Sequence, residues 1–125
     1  MKLRIKGDSI RLRLTRGEVQ ALIANGLVAE LTHFPGGGAF GYRLTAAADC
    51  REVGASVAAS ALTVALPAGL ARQWGESDEV GIRVALPLGA GELGILIEKD
   101  FPCPTARPGE DDSDAFGRDR PLRAT

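Results

Sequence analysis

The sequence predicts an α+β domain of two tandem β-β-α-β-β halves, forming a small pseudo-twofold barrel-like sheet with two short helices. Three observations lead there. Short segments alternate polar and apolar residues, as half-buried strands do. Two stretches carry helix-start signals. The whole order then returns 52 residues later, Leu14 coming back as Leu66.

In the first half (1–46), residues 2–6 and 10–14 alternate, with Gly7-Asp8 between them. Glycine at the first central position suits a type II′ turn, and a two-residue loop fixes register. Ile5 then faces Ile10, Leu3 faces Leu12 and Met1 faces Leu14 on one side. Arg4 faces Arg11 and Lys2 faces Arg13 on the other. Thr15 followed by Glu18 is a capping-box pair, and Gly26 marks the helix end. Val19, Leu22 and Ile23 supply that helix's apolar stripe. Residues 27–34 and 40–46 read as strands around the loop 35–38.

The second half (53–98) repeats this with strands 53–58 and 61–66. Pro67 stands where Thr15 stood, suited to a first helical turn. Leu70, Ala71 and Trp74 form an apolar side, and strands follow at 80–86 and 92–98 around a turn at 87–91. Pro35 with Pro87, Gly37 with Gly89, Val28 with Val80 and Leu44 with Leu96 coincide without a gap. Between Glu30 and His33 the apolar phase of the two copies disagrees, so a bulge or one-residue slip is expected there. Domain 1–101 is followed by an acidic tail, 102–125, containing Pro and Gly. It reads as extended or disordered, pinned by Phe116.

A chain of 125 residues fits one domain, and 45% hydrophobic content is ordinary for a globular protein. The net charge of −1 argues against a generic nucleic-acid or membrane-surface binder. That average hides an asymmetry. Lys2, Arg4, Lys6, Arg11, Arg13 and Arg16 crowd the start, whereas Glu98, Asp100, Glu110, Asp111, Asp112 and Asp114 crowd the other end. Lys2, Arg4 and Lys6 leave no apolar core for a signal peptide. Residues 55–71, interrupted by Ser56, Ser60, Thr63 and Pro67, are no membrane span. A cytoplasmic setting is expected, with Cys50 and Cys103 as thiols.

Met1-Lys2-Leu3-Arg4-Ile5-Lys6-Gly7-Asp8-Ser9-Ile10-Arg11-Leu12-Arg13-Leu14 and Ile95-Leu96-Ile97-Glu98-Lys99-Asp100-Phe101-Pro102-Cys103 resemble a small bacterial family of uncharacterised proteins. That resemblance covers nearly the whole chain and brings no activity with it. Leu62-Thr63-Val64-Ala65-Leu66-Pro67-Ala68-Gly69-Leu70-Ala71-Arg72-Gln73-Trp74, with Ser77-Asp78-Glu79-Val80, is similar to the AbrB/SpoVT swapped-hairpin unit. There a strand runs into a proline-started helix, a Gly-Asp turn and two strands, and two chains make a DNA-binding dimer. The resemblance implies two such units within one chain. Ser77 replaces the turn glycine and the second copy has few basic residues, so the resemblance implies the fold, while DNA binding is possible but not favoured.

The candidate site is the basic face of Lys2, Arg4, Arg11 and Arg13. Like charges opposite one another destabilise a sheet pair. The second copy has Gly54, Ser56, Thr63 and Ala65 at the equivalent places, so the fold does not need the cations. Arginine suits forked recognition of phosphate or carboxylate. The competing reading is a solvated face, or one neutralised internally by Glu98 and Asp100. Glu98, Asp100 and Cys103 form a weak metal set without a Cys-x-x-Cys or a Ca²⁺-loop spacing, and no cofactor is expected. His33, the single histidine, has no G-x-S-x-G elbow to serve, and the glycine-rich 35–41 lacks the Gly-Lys-Ser/Thr of a phosphate loop.

The leading functional expectation is therefore a non-enzymatic binding or regulatory module. Its partner would be an anionic ligand or an acidic protein surface, with nucleic acid less favoured and no membrane. The alternative is a small enzyme that orients a phosphate- or carboxylate-bearing substrate on the arginines, with Glu98 and Asp100 as acid/base or metal groups.

Overall fold

The computed structural model describes residues 1–101. The expectations for the tail, Cys103 and Phe116 included, lie outside the described residues. The fold is β-rich α+β, with eight strands and two helices among the described residues. In chain order these are β1 (Lys2–Lys6), β2 (Ser9–Leu14), α1 (Arg16–Asn25), β3 (Leu27–His33), β4 (Ala39–Ala47), β5 (Gly54–Ala58), β6 (Ala61–Pro67), α2 (Ala68–Gly75), β7 (Gly81–Leu88) and β8 (Gly91–Lys99).

The strands form two four-stranded sheets, ordered β1-β2-β8-β7 and β3-β4-β6-β5. No closed barrel is found among the described residues. The parallel pairs β2–β8 and β4–β6 are the central ones, so β1, β7, β3 and β5 remain as edges. The chain divides into two compact units, each holding one sheet: Lys2–Val19 with the segment from Glu79 onward, and Met1 with Gln20–Asp78.

In the first unit, β1 and β2 pair as their two-residue turn demands, with Leu3↔Leu12, Ile5↔Ile10, Arg4↔Arg11 and Lys2↔Arg13. Gly7 alone of the two turn residues has a positive φ, +52°, which fits type II′. Met1 lies outside β1, so its expected pairing with Leu14 does not form. Ile10, Leu12, Leu14, Ile82, Ile95 and Ile97 are buried, each from the apolar phase of its strand.

The loop expected at 87–91 is shorter than read. β7 continues through Pro87 and Leu88, and Leu88 pairs with Gly91, leaving Gly89-Ala90 as the turn. Proline is admissible there because β7 is an edge strand. The Thr15–Glu18 capping box forms as read. The Thr15 N–H donates to Glu18 Oε1 at 2.9 Å, and the Glu18 N–H donates to Thr15 Oγ1 at 3.3 Å.

In the second unit, α2 lies against β6 and β4 and buries Ala71 and Trp74 completely. Pro67 serves as its N-cap with extended backbone, φ −60° and ψ 137°, one position earlier than a first-turn proline. Leu44, Leu62, Val64 and Leu66 complete this core. β3 and β4 stay in register from Leu27↔Thr45 to His33↔Ala39 without the expected slip. The phase conflict is resolved differently: Leu31 stays outward, 59% exposed, and the half-buried Glu30 turns to the other face. Gly26, past the end of α1, has φ +76°, and its carbonyl accepts the Ala46 N–H at 3.0 Å.

Candidate anion-binding face

Alternation puts every second residue of a strand on the same face, so the registers of the first sheet define rows across it. One row reads Arg4, Arg11, Leu96, Arg83. The row on one side reads Lys2, Arg13, Glu98, Gly81, and on the other Lys6, Ser9, Gly94, Ala85. Six cations therefore share one face, with Glu98 among them and Glu92 beside Pro87 at the hairpin end. The four residues expected from sequence are all here, and the structure adds Lys6 and Arg83 to them.

Glu98 is the anchor of this face and is 6% exposed. Its Oε1 lies 2.7 Å from Arg13 Nε, which donates a hydrogen bond to it. Arg11 Nε is also 2.7 Å away but outside hydrogen-bonding geometry. Arg11 thus contributes charge rather than a directed bond. The Lys2 ammonium stands 3.4 Å from the buried Asp100 carboxylate, and the Asp100 N–H donates to the Leu14 carbonyl at 2.9 Å. Gly81, opposite Glu98, has a physical reason. A Cβ there would lie 3.1 Å from the Ile97 carbonyl oxygen and 3.5 Å from Glu98 Cβ, crowding the carboxylate's own strand.

The remaining cations are different. Arg4, Lys6 and Arg83 are exposed, and their side chains make no ion pair or hydrogen bond among the described residues. Together with Arg11 and Ser9 they line an open concavity of about 680 Å³ whose floor includes Gly94 and Leu96. No acidic side chain lines it. Arg4 and Arg11 are direct cross-strand partners, a like-charge arrangement that costs stability; Glu98 offsets it on the Arg11 side, and no carboxylate among the described residues does so at Arg4.

Arg83 is the cation of this face that sequence reading missed. Its outward phase was visible in Gly81-Ile82-Arg83-Val84-Ala85, but its sheet was not. The other candidates stand apart from this face. His33 ends β3 in the other unit, and the 34–38 segment closes the β3–β4 hairpin, with the Phe34 N–H donating to Gly38 at 2.7 Å. Cys50 is a free thiol whose Sγ donates to the Glu52 carbonyl at 3.1 Å. Of the weak metal set, Glu98 and Asp100 face cations, and Cys103 lies outside the described residues. Among the described residues no three His, Cys, Asp or Glu side chains are grouped to hold a metal ion. No helix among them is long and apolar enough to cross a membrane.

Comparison with known proteins matches residues 1–120 to a family of unknown function, DUF7009. The chain belongs to this family. The match runs through both sheets and past the last described residue, so the basic face and the acidic segment beyond Phe101 both fall within the DUF7009 span. No curated protein and no solved structure matches the chain.

Proposed function

We propose that this DUF7009 protein is a non-enzymatic binding module whose basic sheet face takes a small polyanionic, phosphate-bearing ligand. The observation that carries this reading is the row Arg4–Arg11–Leu96–Arg83 beside a concavity that no acid lines. At about 4.8 Å per strand, Arg4 and Arg83 are roughly 14 Å apart at the backbone. A ligand with several anionic groups serves that row better than a single ion does. Charges on edge strands also discourage strand pairing, and Lys2 and Lys6 can fill that role. Edge protection does not account for Arg4 set against Arg11 in an interior strand.

The enzyme alternative would need Glu98 or Asp100 as a working acid or base. Both are engaged, Glu98 by Arg11 and Arg13 and Asp100 by Lys2, which favours binding over chemistry. The tandem-halves reading and the AbrB/SpoVT likeness are supported in turn by the hairpins. The β5–β6 register, Gly54↔Ala65 to Ala58↔Ala61, repeats that of β1–β2 displaced by 52 residues. Each half also contributes one hairpin to each sheet.

The test is calorimetric titration of the purified protein with inorganic triphosphate at low salt. The wild type is compared with Arg4→Ser/Arg83→Ser, two exposed sites whose loss strands no buried group. Binding by the wild type that weakens at least about tenfold in the variant, a loss of about 1.4 kcal/mol, is expected. Equal affinity in the two proteins, or no binding by the wild type, would reject the proposal.

A further inference from the structure

We infer that the face has an occupant within the same chain: the acidic run Glu110-Asp111-Asp112-Ser113-Asp114 docks on Arg4, Lys6 and Arg83 and competes with outside anions. The inference rests on the reading of that face as an anion site and supplies its regulation.

Where the chain leaves the fold is the first argument. Asp100 continues β8 on the basic side, with its N–H on the Leu14 carbonyl and its carboxylate on Lys2. Phe101 therefore departs from the Lys2–Arg13–Glu98 end of the face. Eight residues lie between Phe101 and Glu110, a tether whose nine steps span at most about 30 Å. The Arg4–Arg11 row lies only two residues along the strands from the Lys2–Arg13 row, or about 7 Å. Reach is ample.

Charge is the second argument. The run holds four carboxylates in five residues, and Arg107 is the only cation between Phe101 and Glu110. The face offers three cations without partners among the described residues, beside Arg11, which is already held by Glu98. A tether this short holds its end at a millimolar effective concentration. Even a weak intramolecular contact then competes with a ligand in solution. The contact is electrostatic and mostly exposed, so salt weakens it. The family match to residue 120 includes the run.

The experiment uses the full chain and its Glu110→Gln/Asp111→Asn/Asp112→Asn/Asp114→Asn variant, with substitutions confined to residues beyond the described fold. Triphosphate affinity is measured at low salt by calorimetry, and the Arg4 and Arg83 guanidinium N–H signals are followed by NMR without ligand. The variant is expected to bind triphosphate about three- to tenfold more tightly, with both arginine signals displaced from their wild-type positions. Triphosphate binding of equal strength with unmoved signals would overturn the tail inference and leave the anion site standing. Displaced signals in a protein that binds no triphosphate would support the tail contact while removing the external ligand.

Discussion

Glu98→Gln is the sharpest test of how the basic face holds together. The substitution keeps the shape of the side chain and removes its charge. In the wild type one carboxylate oxygen lies 2.7 Å from both Arg11 Nε and Arg13 Nε, and the Glu98 side chain is 8% exposed. A hydrogen bond to a charged group contributes about 1.5–3 kcal/mol, which applies to Arg13. The Arg11 contact is discounted to about 0.5–1 kcal/mol, because that side chain is 35% exposed and its Nε is not aligned. The glutamine carbonyl still accepts from Arg13, returning about 1 kcal/mol. The net cost is therefore about 1–3 kcal/mol. For a chain of this size that is a fall in Tm of roughly 4 °C per kcal/mol. Urea denaturation with thermal melts in a non-binding buffer measures it. Inorganic phosphate should restore part of the loss, since an anion can stand where the carboxylate charge was. A variant within about 0.5 kcal/mol of wild type, well below the summed ion-pair contributions, would refute the reasoning.

Two further substitutions probe the backbone, and one probes Arg11 and Arg13 together. Gly26→Ala places a Cβ 2.8 Å from the Ala46 carbonyl oxygen at a φ of +76°, so a loss of at least about 2 kcal/mol is expected from left-handed strain and the clash. A melt unchanged from wild type would show that β4 yields. Ala59 and Ser60 form the β5–β6 turn with φ of 51° and 60°, a type I′ geometry that Asn-Gly fits. Ala59→Asn/Ser60→Gly should raise stability by about 1 kcal/mol, readable as a higher urea midpoint. Arg11→Ser/Arg13→Ser leaves Glu98 buried without either partner, and chemical denaturation should show a loss of about 3 kcal/mol or more. Wild-type stability in that double variant would mean that Glu98 needs neither arginine.

Interactions close in sequence were legible. The Gly7-Asp8 turn set Arg4↔Arg11 and Lys2↔Arg13, because a two-residue loop leaves one register. Thr15 and Glu18 announced their reciprocal cap, since both partners lie within one helical turn. The apolar phases of β2, β6 and β8 named most of the core.

Tertiary structure decided what alternation cannot encode, which is the partner of each hairpin. Parallel pairing of β2 with β8 seats Glu98 beside Arg13. Pairing of β7 with β8 brings Arg83 into the row of Arg4 and Arg11. The same non-local choice gave two four-stranded sheets, with no closed barrel among the described residues, and turned Leu31 outward where a slip had been expected. A strand's own residues fix which side faces inward, whereas its neighbour depends on burial summed over the whole chain. The sequence by itself thus determined the hairpins, the caps and a cationic face. Only the fold determined which cations Glu98 neutralises and which stay exposed and unpaired among the described residues.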